Sequence, residues 1–222
     1  MSLKRDKAFA KKIFDILNKE YPKVKPALEY SNPFELLIAT ILSAQCTDER
    51  VNIVTKELFK KYKTPQDYVN INIEKLEKDI FSTGFYKQKA KSIKACCDEL
   101  VKNHNGKVPA DFDELVKLQG VGRKTASVVA GNAFGIPSIA VDTHVKRLSN
   151  LLGFIDSQNP DKIEFRLKEL LPESYWINTS HWLATHGRKI CIANRPKCFE
   201  CVLADFCPSF NPSTNKKKKA NG

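Results

Sequence analysis

The stretch LQGVGRKTASVVAG, residues 118–131, decides the fold and raises the first question about function. It holds two glycines two positions apart, and Arg123 and Lys124 follow them at once. Apolar residues recur at helical spacing both before the glycines, in DFDELVKLQ, and after them. The pattern predicts two short helices joined by a five-residue loop, in which Gly120 and Gly122 tolerate positive φ and the close approach of other atoms.

Two cations at the start of a helix are unexpected, because the helix dipole favours negative side chains there. The backbone N–H groups of the loop and of the second helix form an anion site, and a nucleic-acid phosphate would offset the repulsion. We therefore expect Gly120, Gly122 and Arg123 to bind DNA. A tight helical hairpin with an incidental lysine stays open as an alternative. A nucleotide-binding P-loop is excluded, because glycines would be needed at Leu118 and Arg123 and a strand should come first.

The charge balance predicts a polyanionic partner. Lys and Arg number 37 against 25 Asp and Glu, which gives a formal charge of +12 and a pI near 9.3. Nucleic acid and an anionic membrane surface both fit this composition. No apolar run has the length of a membrane span, and the first residues, MSLKRDKAFAKK, lack the apolar centre of a secretory signal. We expect a cytoplasmic protein, associated with the nucleoid if the host is bacterial.

Helical spacing of apolar residues runs through nearly the whole chain. Helix-starting residues recur at Thr64, Asn72 and Asn159, the first and last of them followed by proline. Only IPSIAV, residues 136–141, has the apolar and β-branched character of a strand, and it is short and without a second strand to pair with. The sequence therefore predicts an all-α fold. The last residues, 212–222, are basic without apolar periodicity, and we expect a disordered tail.

A second pattern, CIANRPKCFECVLADFC, contains four of the seven cysteines. Six, two and five residues separate them, so they are close enough in sequence to wrap one cluster; they are Cys191, Cys198, Cys201 and Cys207. Zinc sites usually have two CxxC pairs and this segment has one, so a 4Fe-4S cluster suits it better, with zinc as the alternative. The first interval carries Arg195 and Lys197, which we expect to contact DNA phosphates.

The combination of LQGVGRKTA with a downstream VDTHV resembles the helix-hairpin-helix DNA glycosylases and, among them, the endonuclease III family, over nearly the whole chain. The cysteine spacing is similar too. The resemblance implies that Lys124 is a nucleophile and that Asp142, eighteen residues later, is its partner. An amine suits this chemistry, because it can displace a base and leave an iminium able to undergo β-elimination. The helix start, partial burial and Arg123 should all disfavour the ammonium form of the lysine.

The implied activity is that of a bifunctional DNA glycosylase. It would remove oxidised pyrimidines from double-stranded DNA, nick the abasic site by β-elimination, act as a monomer and carry a 4Fe-4S cluster. Asp142 would help to accept a proton and to stabilise positive charge on the sugar. Its alternative role is that of an N-cap for the helix that follows, and one carboxylate can serve both roles.

Removing a base requires the nucleotide to leave the stack, so something must fill the gap. The resemblance implies that Gln45 inserts there and that Phe85, where many relatives carry Leu, wedges the opposite strand. The alternatives are a polar helix end for Gln45 and core packing for Phe85. A further departure is Gln119, at a position where the family commonly has Pro.

The resemblance also implies a division of the chain. A six-helix domain at residues 26–136 contains the hairpin, and residues 1–25 with 137–211 form the iron-sulfur cluster domain. DNA would bind between the two lobes.

Two other classes of function remain open. A monofunctional glycosylase of the same fold, such as the type that removes adenine from mismatches, carries a catalytic glutamate where this chain has Ala39. A non-enzymatic DNA-binding module would use the hairpin and the cluster only as structure. Lys124 and Asp142 together argue against the module.

Overall fold

The computed structural model describes residues 5–211 and contains helices and loops without a strand in that range. The all-α prediction is therefore confirmed. Eleven α-helices occur among the described residues: α1 Lys7–Glu20, α2 Pro33–Leu42, α3 Asp48–Lys61, α4 Pro65–Asn70, α5 Ile73–Asp79, α6 Tyr86–Asn103, α7 Phe112–Lys117, α8 Arg123–Phe134, α9 Thr143–Leu151, α10 Pro160–Leu170 and α11 Trp176–Lys189. The basic tail predicted at 212–222 lies outside the described residues.

The helix starts follow the capping residues that the sequence offers. The side chains of Thr64, Asn72 and Asn159 each accept a hydrogen bond from a backbone N–H in the first turn of α4, α5 and α10. Proline occupies the first turn of α4 and α10, where its missing N–H would have had no partner. The segment at 136–141 is irregular loop rather than strand. The predicted helix starts at Thr64, Asn72 and Asn159 are confirmed.

The chain divides into two compact units, Pro26–Ser138 and a second unit made of residues 1–25 with 139–222. The first contains the seven helices α2 to α8, and the short α5 begins at its Asn72 cap two residues after α4 ends. Its centre is α2, which is apolar on all sides and buried along almost its whole length. Around α2 pack α3, α6 and α8.

In the second unit α1 packs against α10 and α11, and α9 packs against the same two helices. Its aromatic centre is formed by Phe14, Phe154 and Trp182, with ring centroids about 6 Å apart. The loop after α11 carries the four clustered cysteines. No helix among residues 5–211 is both long and apolar enough to cross a membrane.

The predicted helical hairpin is present as α7 and α8, and its two glycines differ. Gly120 has φ +79°, and a Cβ on it would lie 2.7 Å from Cβ of Ser92 in α6. Gly122 has φ −87°, and a Cβ there would meet no described atom within 4 Å. The expectation that both glycines serve the turn is therefore wrong for Gly122, which the fold itself does not require to be glycine.

We predict that Gly120→Ala and Gly122→Ala differ in stability. The first forces a side chain into the left-handed region and against Ser92, and should lower the free energy of unfolding by about 1–3 kcal/mol. The second should change it by less than about 1 kcal/mol, because its φ suits alanine and the space is open. Urea unfolding of the two variants measures the difference, and equal midpoints would contradict this account of the hairpin.

Candidate nucleic-acid interface and catalytic residues

The hairpin loop is fixed by its two apolar residues. Leu118 and Val121 are buried in the core of the first unit, and the N–H of Val121 donates to the carbonyl of Leu118 at 3.0 Å. The N–H of Gln119, at the position where the family commonly has proline, donates to Oε2 of Glu99 in α6 at 3.2 Å. Because these groups hold the loop from inside, Gly120 and the residues from 122 to 124 are left exposed.

Helix α8 begins without any of the usual protection of its N-terminus. Gly122 is the N-cap, no side chain accepts a bond from the first-turn N–H groups, and that turn has no acidic residue. The guanidinium of Arg123 lies 5.2 Å from the centroid of the Phe112 ring. An N-cap without a side chain, a positive helix end and two cations make this surface suited to binding an anion.

Lys124 lies in the first turn of α8 and is exposed. Its predicted partial burial is wrong: the side chain is exposed, because it lies in the first turn of α8, and the buried residues of that helix begin only at Ala126.

Asp142 is the N-cap of α9, and its Oδ1 accepts a hydrogen bond from the N–H of Val145 at 2.8 Å. The capping role considered for it is therefore present. Among the described residues this bond engages one of the two carboxylate oxygens and fixes the carboxylate at a helix N-terminus. Burial lowers the pKa of His181, and the negative charge of Asp142 partly opposes that effect.

Gln45 and Phe85 share a strained backbone and a cavity. Their φ angles are +53° and +47°, left-handed values that side chains rarely adopt. Both residues line a cavity of about 250 Å³, together with Ile41, Ala44, Gln88, Lys89, Ser92 and Gly120. The side chain of Phe85 is 64% exposed, so the core-packing alternative for it is wrong.

The four clustered cysteines line one cavity of about 220 Å³ in the second unit, and all four are reduced and partly buried. Burial raises the pKa of the Cys201 thiol to about 11 and raises those of Cys191 and Cys207 as well. Within residues 5–211, no three His, Cys, Asp or Glu side chains form a group that could hold a single metal ion. The four thiols therefore share a cavity without being placed as the ligands of one ion.

Arg195 and Lys197 are exposed on the loop between the first two of these cysteines. The loop is tied back by the N–H of Lys197, which donates to the carbonyl of Ile190 at 2.9 Å. Nζ of Lys197 lies 3.8 Å from Oε2 of Glu200, a loose surface pair that leaves the cation available to another anion.

Three residues that the sequence did not single out lie against these sites. Nε2 of His186 is 3.4 Å from Sγ of Cys201, and the guanidinium of Arg147 donates to the backbone carbonyl of Cys191. Lys89 is buried beside Gln45 and Phe85. A signal existed for Lys89 alone, since it is the one charged residue on the buried face of α6.

Comparison with known proteins agrees with this geometry. Residues 38–173 match the HhH-GPD superfamily of base excision DNA repair proteins. Endonuclease III of Synechocystis sp. is 47% identical over 205 residues, which cover 92% of this chain and 94% of that protein. Endonuclease III of Escherichia coli K12 is 41% identical over 202 residues, covering 91% and 96%.

A solved structure gives the same result in three dimensions. It is described as a trapped endonuclease III–DNA covalent intermediate in an estranged-adenine complex, and it superposes with a TM-score of 0.89 at 47% identity. The match covers 91% of this chain and 96% of that one. The chain therefore belongs to the HhH-GPD superfamily of base excision DNA repair proteins and, within it, to the endonuclease III family.

Proposed function

We propose that this protein is a bifunctional DNA glycosylase and abasic-site lyase that removes oxidised pyrimidines from duplex DNA. The observation that carries the proposal is Lys124, an exposed amine in the first turn of α8 directly after a loop that offers bare N–H groups. A phosphate bound by that loop would place the sugar of the same strand within reach of the amine. The relatives named endonuclease III, one of them seen as a covalent DNA intermediate, support this reading.

The reaction assigned to Lys124 conserves atoms and charge. Its neutral amine attacks C1′ of the damaged nucleotide, the bond from C1′ to the base breaks, and the base leaves with the bonding electrons and takes up a proton. The nitrogen then loses a proton, the C1′–O4′ bond breaks as the nitrogen lone pair forms an iminium at C1′, and O4′ takes up a proton. Removal of a C2′ proton then expels the 3′ phosphate, and water releases the lysine. Water as nucleophile could not give this sequence, because it forms no iminium.

Asp142 is proposed to accept the proton of the attacking amine and to stabilise the positive charge that develops on the sugar. The bond from Val145 to Oδ1 supports this role, since it fixes the carboxylate without engaging its second oxygen. Capping and catalysis are therefore compatible in one residue.

Gln45 and Phe85 are proposed to fill the space left by the extruded nucleotide and to wedge the opposite strand. Both residues have a left-handed backbone conformation and line one cavity, which supports this role because strained backbone conformations concentrate at functional sites. An exposed phenyl ring is costly in water and gains contact area when it stacks against bases.

The remaining DNA contacts are proposed to be electrostatic. Gly120, Gly122 and Arg123 would bind phosphate at the hairpin, and Arg195 and Lys197 would do so on the cysteine loop. A formal charge of +12 supports strong attraction to duplex DNA of any sequence. Specificity for oxidised pyrimidines over other lesions, and action as a monomer, are parts of the proposal, as is a location at the nucleoid of a bacterial host.

Cys191, Cys198, Cys201 and Cys207 fit a 4Fe-4S cluster, because four thiols line one cavity and thiolates are the ligands such clusters take. When bound, the cluster would cross-link the irregular loop after α11 rather than react with substrate. The loop with Arg195 and Lys197 would then depend on the cluster for its shape. We propose 4Fe-4S and keep zinc as the alternative.

The other two function classes have less support. Ala39, at the position of the glutamate in the adenine-mismatch type, is fully buried in α2 among apolar neighbours and offers no carboxylate. The endonuclease III relatives favour an enzyme over a DNA-binding module.

The first prediction from the proposed function separates the two proposed catalytic residues. Lys124→Gln should abolish borohydride trapping on an oxidised pyrimidine and nicking of abasic DNA. Asp142→Asn keeps a capping side chain and should slow base release by about a hundredfold or more while sparing cleavage of a preformed abasic site. Lys117→Gln removes an exposed lysine at the other end of the hairpin loop, held by Glu114, and serves as the control. Undiminished nicking by Lys124→Gln would overturn the lyase mechanism.

The second prediction concerns the cluster. Protein purified without exposure to air should be brown and contain about four iron atoms per chain. Cys198→Ser should lose the iron, whereas Cys46→Ser, at a cysteine in the other unit, should retain it. Iron analysis measures both, and stoichiometric zinc without iron would refute the assignment.

The third prediction concerns phosphate contacts. Binding to undamaged duplex should weaken steeply with salt, and Arg195→Ala should reduce the slope of log affinity against log salt by about one. Lys60→Ala, at a lysine already paired with Glu57 at 2.7 Å, is the comparison variant. A salt-independent affinity, or an equal change in both variants, would argue against the assignment.

A further inference from the structure

Lys89 has an unusual position for a lysine. It lies on the buried face of α6, is 5% exposed and has no carboxylate partner among the described residues. Its Nζ instead donates two hydrogen bonds to backbone carbonyls, those of Leu42 and Thr83, each at 2.8 Å. A buried ammonium without a counter-ion is normally avoided, so its retention needs a reason.

The two carbonyls belong to the two loops that carry the strained residues. Leu42 ends α2 and lies three residues before Gln45, and Thr83 ends a short 3₁₀ turn and lies two residues before Phe85. The two loops are about forty residues apart in sequence, and the ammonium of Lys89 contacts both. Its own backbone N–H donates to the carbonyl of Phe85 at 3.0 Å.

We propose that Lys89 is a positioning residue that holds the Gln45 and Phe85 loops in the fixed spacing needed to open a base pair and fill the gap. The inference rests on the proposed function, because it presumes that these two loops enter the DNA. It assigns Lys89 no contact with the substrate. The carbonyl at the end of α2 suits this role, since a helix C-terminus attracts a cation.

Stability alone does not account for Lys89. Burial lowers its pKa, which means that the folded environment disfavours its charge relative to the unfolded chain. Buried charges of this kind can often be replaced by apolar side chains with little loss of stability. A hydrophobic residue of similar length would fill the same space on α6 but could not bridge the two carbonyls.

The same helix provides a matched control. Lys94 also lies in α6, and its Nζ donates to three carbonyls, of Tyr68, Val69 and Ile71, at the end of α4. It therefore makes one more backbone bond than Lys89, and none of them reaches a loop with Gln45 or Phe85. Lys94→Met should lower stability at least as much as Lys89→Met, without affecting base-pair opening.

The test compares two substrates under single-turnover conditions. On an oxidised pyrimidine paired with a purine, Lys89→Met should slow base excision by about tenfold or more, because misplaced loops no longer open the pair together. On a preformed abasic site opposite a base-free spacer, where no pair must be opened, its rate should stay within about threefold of the unmutated protein. Lys94→Met should be slowed by less than about threefold on both substrates.

A second measurement reports base-pair opening itself. In a Lys124→Gln background, 2-aminopurine placed opposite the lesion should brighten on binding as it leaves the stack. Adding Lys89→Met should reduce that increase, and adding Lys94→Met should not. Equal slowing of both substrates by Lys89→Met, or equal effects of the two methionine variants, would show that Lys89 is merely structural and overturn the proposal. Failure of the proposed function would differ, since the unmutated protein would then form no borohydride adduct.

Discussion

Close packing of the hairpin backbone against α6 is the constraint on which the rest of the candidate site depends. Gly120 approaches Ser92 so closely that no side chain fits between them. The same helix turns one face to the core, holds the Gln45 and Phe85 loops through Lys89, and anchors the end of α4 through Lys94. One rigid element thereby fixes the hairpin and both strained loops, so their relative positions within this unit are not independent.

Two lysines of this unit lie at opposite ends of helices, Lys89 at the C-terminus of α2 and Lys124 at the N-terminus of α8. The first has a proposed positioning role and the second a proposed catalytic role. Lys89 is buried at the C-terminus of α2, where backbone carbonyls accept its hydrogen bonds although burial disfavours its charge. Lys124 is exposed at the N-terminus of α8, where the dipole opposes its charge. An ammonium serves well as a fixed hydrogen-bond donor in the first place. In the second, an exposed amine is accessible to the sugar of a bound nucleotide, as nucleophilic attack requires.

Much of the fold was predictable because its signals are local. The capping residues, the hairpin and the absence of alternating strand patterns all act over a few residues, as at Thr64 and Asn159. The site was less predictable. Sequence spacing could not tell that Gly122 has an ordinary φ or that Lys124 is exposed, since both depend on the path of the loop and on where the first turn of α8 lies against the rest of the unit. The contact of Lys89 with Leu42 joins residues 47 positions apart, and its only signal in the sequence is a charged residue on the apolar face of a helix. The domain boundaries and the roles of the site residues stay predictions.

The strained backbone at Gln45 and Phe85 and the hydrogen bonds from Lys89 act on the same two loops. Each residue in the left-handed backbone conformation costs on the order of 1 kcal/mol or more of stability, and this strain would relax if its loop were free to move. The bonds from Lys89 hold the chain just before Gln45 and just before Phe85, where relaxation of either loop would begin. These two hydrogen bonds therefore oppose the relaxation of both loops. Without the hydrogen bonds from Lys89, each loop could relax by itself, and the side chains of Gln45 and Phe85 would reach the duplex at different times. Base-pair opening needs both at once, because a gap that is opened but not filled closes again.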